Sequence, residues 1–200
     1  QPIMDLKTNR IDKFECLVRL LDEQGEPIGP IHFLDLAKKV RLYRSITRCM
    51  VESSMRQFAD LPYTFSLNLS CEDLLDQALS DHIIAMVEEY QIGSRVIFEI
   101  LESEGIENYA EVRQFIDRAK TLGCRIAIDD FLLRLDVDLI KIDGSLIKQL
   151  DTNPTAMTIC NGIVHFAEEL GMQTVAEFVH SPAILAKVKE LGINFAQGAA

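Results

Sequence analysis

The sequence predicts a largely parallel α/β fold closed into a barrel, and three observations carry that prediction. Apolar, strand-like runs alternate with helical segments along most of the chain, the pattern of strands joined by crossover helices. Leu-Gly recurs in "TLGCRIAIDD", "ELGMQTVAEF" and "ELGINFAQG", each time between a helical segment and an apolar run. Eight such runs can be read in all, enough for a sheet to close on itself.

Taken in order, residues 2–6 and 13–20 read as two strands joined by the polar "KTNR" segment, which is compatible with a hairpin and so with a first strand antiparallel to the second. Further strands are expected at 63–69, 96–101, 125–130, 137–142, 173–178 and 193–197. Between them, Tyr109, Val112, Phe115, Ile116, Ala119 and Leu122 recur at spacings of three and four, one apolar helical face. Gly123, Gly171 and Gly192 are suited to end helices in the left-handed conformation. Ser181-Pro182 supplies an N-cap and a first-turn proline. The basic run "AKKVRLYRSITR" at 37–48 reads as a solvated loop and helix face.

One junction breaks the scheme. A parallel crossover needs about a dozen residues, yet only six, 131–136, separate the strands at 125–130 and 137–142. The segment "FLLRLD" has no glycine, proline or asparagine for a hairpin turn. The spacing therefore predicts that chain is missing between Phe131 and Leu132.

Composition bounds the function classes. Two hundred residues, 48% apolar and 26% charged, suit one domain over 1–200. No run approaches the roughly 20 apolar residues of a membrane span, and "QPIMDLKTNR" lacks a signal-peptide layout; a cytoplasmic domain is expected. The five cysteines form no CxxC pair and leave an odd count, which fits small core residues in a reducing compartment. A formal charge of −11 excludes duplex nucleic acid as a partner, while a small phosphate-bearing ligand stays compatible if cations offset the field. His32, His82, His165 and His180 show no metal-ligand spacing and receive no catalytic role.

The chemistry collects at strand ends. Glu15, Asn68, Glu99, Asp129, Asp130, Lys141, Glu177 and Gln197 lie in or at the ends of the expected strands, where barrels and open α/β sheets gather their ligands. Converging carboxylates repel unless cations intervene, and hard oxygen donors suit Mg²⁺ or Mn²⁺. Two such ions would serve a phosphoryl displacement, so phosphodiester hydrolysis is the expected reaction. Bland readings stand beside these: Asp130 and Asp143 also fit N-cap or turn roles, and Lys141 fits a simple ion pair. A different Mg²⁺-dependent barrel enzyme using Lys141 for proton abstraction fits the same residues.

In order, "FECLVRL", "SLNLS", "FEILES", "IAIDDF", "DLIKID", "TVAEF" and "FAQG" resemble the EAL domain family of cyclic-di-GMP phosphodiesterases, over essentially the whole chain. Cys16 stands where the family usually has alanine. The resemblance implies a modified (β/α)8 TIM-type barrel with an antiparallel first strand, and hydrolysis of cyclic-di-GMP to linear pGpG with two Mg²⁺ or Mn²⁺. By match, Glu15, Asn68, Glu99, Asp129, Asp130 and Glu177 would serve the metals, with Glu15, Lys141 and Glu177 catalytic and Lys141 positioning or activating water. Arg19, taken to share the strand face of Glu15, would contact the phosphate. Leu17 and Gln197 would lie near the bases, and Glu102 would anchor a loop. The chain departs from the pattern after Phe131 and in "AEFVH", where Phe178 and His180 stand at positions commonly glycine and glutamate. A catalytically inactive cyclic-di-GMP receptor or protein-interaction module is the alternative. The resemblance also implies a homodimer, and "QPI" and "QGAA" look like trimmed boundaries of a larger parent, one compatible with a membrane anchor and with sensor or diguanylate-cyclase-like domains.

Overall fold

The computed structural model describes residues 1–101, 109–129 and 137–198. Its strands are β1 (Pro2–Asp5), β2 (Arg10–Cys16), β3 (Leu20–Leu21), β4 (Pro27–Ile28), β5 (Thr64–Ser70), β6 (Val96–Leu101), β7 (Arg125–Asp129), β8 (Leu139–Ile142), β9 (Gln173–Val179) and β10 (Phe195–Gly198). The helices are α1 (Leu34–Lys39), α2 (Tyr43–Phe58), α3 (Cys71–Leu75), α4 (Gln77–Tyr90), α5 (Tyr109–Thr121), α6 (Gly144–Ile147), α7 (Pro154–Glu169) and α8 (Pro182–Glu190).

Eight strands close into a barrel in the order β1-β10-β9-β8-β7-β6-β5-β2. As expected from "KTNR", β1 and β2 form an antiparallel hairpin, and β1 also pairs antiparallel with β10. The other barrel pairings are parallel. The Leu-Gly junctions behave as read: Gly123, Gly171 and Gly192 have φ of 88°, 71° and 79°. Ser181 caps α8, its hydroxyl accepting from the Ile184 amide, with Pro182 in the first turn.

Three expectations need correction. The second strand does not run to residue 20: its pairing with β5 stops at Cys16↔Leu67, and Leu20–Leu21 pairs instead with β4 in a separate two-stranded sheet. The apolar-rich run "LVRL" continues the strand-like composition while the backbone leaves the barrel. The strand expected at 137–142 begins at Leu139. Cys71, Cys124 and Cys160 are buried as expected, but Cys49 is exposed. The junction between Phe131 and Leu132 lies outside the described residues.

Period-two alternation sorts the strand side chains into two cores. Outward residues such as Phe65, Leu67, Phe98, Ile100 and Ile126 pack with Val112, Phe115, Ile116 and Ala119 of α5. The lumen holds Ile3, Ile97, Ala127, Leu139, Val175 and Phe195. Burial of such side chains stabilises by about 1.5–3 kcal/mol each, and the layer separates two polar ends of the lumen. Lys13 is buried at the end from which the parallel strands start, and the acidic residues stand at the other.

Candidate active site

Each acidic strand reaches the same rim by alternation. Glu15 lies two residues after Lys13 on β2, and its Cα pairs with Ser66. Asn68 pairs with Glu99 across β5 and β6. Asp129 pairs with Lys141 across β7 and β8. Glu177 ends the lumen-facing series of β9, and Gln197 that of β10. Glu15, Asn68, Glu99, Lys141, Glu177 and Gln197 sit at the C-terminal ends of their strands because, past the apolar layer, the next lumen-facing position is polar.

Lys141 stands at the centre. Its Nζ lies 2.7 Å from Glu99 Oε2, 2.7 Å from Glu177 Oε1 and 3.6 Å from Glu15 Oε1. Asn68 Nδ2 donates to Glu15 Oε1 at 2.9 Å, and Gln197 Nε2 donates to Glu15 Oε2. Glu15, Glu99, Lys141 and Gln197 are buried, so these contacts act with little solvent screening. Burial alone would raise the Glu15 carboxyl, but the Lys141 ammonium and the hydrogen bonds from Asn68 and Gln197 outweigh it and hold it below the usual carboxylate value. Glu99 goes the other way: its deeper burial, aided by the Glu15 charge, raises it despite Lys141. Burial would lower Lys141, yet Glu99, Glu15 and Glu177 together hold it far above the ordinary lysine value. Lys141 is therefore a charged donor at neutral pH, able to orient or neutralise oxygen but not to take a proton.

The donor chemistry fits hard divalent cations. Three carboxylates against one ammonium leave two negative charges on the ring, and the buried Gln197 Oε1 has no hydrogen-bond partner among the described residues. Among the described residues, however, no three His, Cys, Asp or Glu side chains stand as a ready metal cluster. Asp129 has its expected strand position; Asp130 and Glu102 lie outside the described residues.

The expected substrate contacts divide. Leu17 and Asn68 line a largely apolar cavity of about 210 Å³, with Cys16, Tyr43 and Ile46 on its walls. Arg19 is not on the strand face of Glu15: beyond the end of β2 it is exposed, and its guanidinium donates to the Val18 carbonyl at 2.7 Å. Gln197 Nε2 donates to Glu15 Oε2 and to Gln1 Oε1. Asp143 proves an N-cap, its carboxylate accepting from the Ser145 amide at the start of α6. Ser66, buried directly across from Glu15, was missed, although "TFSLNLS" places Ser66, Asn68 and Ser70 on one face of an apolar strand.

A family model described as "EAL domain" matches residues 1–200. The chain belongs to the EAL domain family. Its sequence is 30% identical, over 213 aligned positions, to a cyclic di-GMP phosphodiesterase, PdeA, of Borreliella burgdorferi, with 99% of this chain and 32% of that protein covered. The chain thus spans about a third of that relative. Among solved EAL structures, a Listeria monocytogenes protein superimposes with a TM-score of 0.91 at 27% identity, covering 99% of this chain and 83% of that one. The FimX EAL domain of Pseudomonas aeruginosa, solved bound to c-di-GMP, superimposes with a TM-score of 0.88 at 26% identity, covering 99% and 86%. Across this EAL barrel no helix among the described residues is long and apolar enough to cross a membrane.

Proposed function

We propose that this EAL domain hydrolyses cyclic-di-GMP to linear pGpG with divalent metal ions. The observation that carries the reading is the convergence of buried Glu15 and Glu99 and half-buried Glu177 on Lys141 at the C-terminal rim, in a chain of this family. Glu15, Asn68, Glu99 and Glu177, with Asp129 and Asp130, would hold two Mg²⁺ or Mn²⁺. Bound there, the ions would supply Lewis-acid polarisation of the phosphoryl oxygen and make a water nucleophilic at neutral pH. Lys141, held charged by its three partners, orients the attacking water and offsets charge developing on the phosphate. Asn68 and Gln197 fix the Glu15 carboxylate through their donated hydrogen bonds. Water oxygen bonds to phosphorus as it gives up a proton, the P–O3′ bond breaks, and the departing 3′ oxygen takes up one proton, so the net change is the addition of one water across P–O3′. Leu17 and the apolar cavity beside Asn68 offer a wall for the nucleobase.

Borreliella PdeA carries the phosphodiesterase name and the FimX domain binds c-di-GMP, which supports the substrate. The alignment to PdeA runs over 213 positions against 200 residues here, so it carries gaps on the side of this chain. The test is chromatography of cyclic-di-GMP incubated with the protein and Mn²⁺ or Mg²⁺. We expect linear dinucleotide from the parent and a loss of at least about a hundredfold in Glu15→Gln and in Lys141→Met. Binding without cleavage in the parent would instead assign a receptor.

A further inference from the structure

We propose that Phe178 and Lys148 form a shelf on the barrel rim that stacks one purine base of the dinucleotide, an inference that rests on the function proposed above. Strand β9 supplies the geometry. Its pairing with β10 matches Ala176 to Ala196 and Val179 to Gly198, so three steps on β9 span two on β10. The extra residue creates a bulge, and Phe178 sits in it with φ of 54°. The bulge leaves Glu177 on the lumen side, where it reaches Lys141. It also returns Val179 to the cluster beneath α8, alongside Ile184 and Val188. Phe178 is left on the rim, 60% exposed.

Two costs meet at this residue. A left-handed backbone is unfavourable for any side chain bearing a Cβ, and most of the aromatic surface gains nothing from burial. Such outliers persist at positions where a ligand uses them. The ring is nevertheless held in place. It lies so close to the first turn of α6 that a Cβ added at Gly144 would come within 2.7 Å of its Cδ2. Lys148, one turn along, places its Nζ 4.0 Å from the ring centroid. An aromatic plane fixed on one side and capped by a cation matches a nucleotide, whose base stacks on the ring and whose phosphate pairs with the ammonium. Because Phe178 follows Glu177 directly, a base on this shelf lies beside the carboxylates that the reaction needs.

The test is titration calorimetry of the full chain in EDTA with cyclic-di-GMP and with GMP, alongside thermal melting. Phe178→Gly relieves the backbone and is expected to melt at the same or a higher temperature, yet to bind cyclic-di-GMP about tenfold more weakly. Phe178→Tyr should keep the parent affinity, and Lys148→Met should lose part of it. A Phe178→Gly variant that binds as tightly as the parent overturns the shelf and leaves the proposed function standing. A parent that binds neither nucleotide also overturns the shelf, while the function proposed above is judged separately by the cleavage assay with Mn²⁺.

Discussion

The Lys13 ammonium is buried below the apolar layer of the lumen, with no hydrogen-bond partner among the described residues. Its Nζ stands 3.2 Å from the centroid of the Phe195 ring, and the Asp12 carboxylate is 3.5 Å away. Burial, reinforced by the Arg125 charge, pushes it down to about 8 from an ordinary 10.5. Below pH 8 the lysine is charged both folded and unfolded, so the cost of burying it is fully present. Between about 8 and 10.5 the folded protein releases the proton first, and stability rises with pH. Lys13→Met keeps the length and removes the charge, and should stabilise the protein at pH 7 by about 2 kcal/mol. Melting curves at pH 7 and pH 10 check this: the gain should shrink at the higher pH, and a gain equal at both would contradict it.

At the scale of elements, Arg95 closes a helix far from it in sequence. Its guanidinium donates to the carbonyls of Phe58, Ala59 and Leu61 at the end of α2, groups the helix cannot satisfy itself. Arg95→Met should cost about 1–2 kcal/mol and leave Mn²⁺ affinity unchanged, since Arg95 precedes β6 at the rim opposite Lys141; calorimetric melting and metal titration read the two effects. This contact is also one that the sequence conceals. Local signals were legible: the hairpin at "KTNR", the glycine-ended helices and the polar residues closing each strand all follow from neighbours in the chain. What depends on partners distant in sequence was not. The end of β2 is decided by where β5 stops pairing, so "LVRL" reads as strand and Arg19 was placed on a face it does not share. The β9 bulge depends on its register with β10, and nothing in "TVAEFVH" alone announces it. The site's acidic members could be named from spacing, but their convergence on Lys141 could not.

For the molecule as a whole, closing the barrel forces acidic side chains from separate strands onto one rim, and the same closure sets stability against function. Glu15 keeps its carboxyl low, so it contributes stability at neutral pH that is lost as pH falls below its ordinary 4.5. Glu99 has the opposite sign: raised by burial, its ionisation opposes folding above that value. With three carboxylates facing one ammonium, neutralising Glu99 removes repulsion from the metal-free protein while Lys141 keeps Glu177 and Glu15 as partners. Glu99→Gln should therefore melt at least as high as the parent in EDTA. In the parent, Mn²⁺ at a hundred times its dissociation constant should add about 2.7 kcal/mol, a rise of roughly 5–10 °C for a chain of this size. The variant should lose most of that rise, because the charge it removes is the one the metal would neutralise. Scanning calorimetry with and without Mn²⁺ reads both effects. A Glu99→Gln protein that melts lower in EDTA and still gains the full metal shift would show that the rim is built for the Lys141 ion pairs rather than for cations.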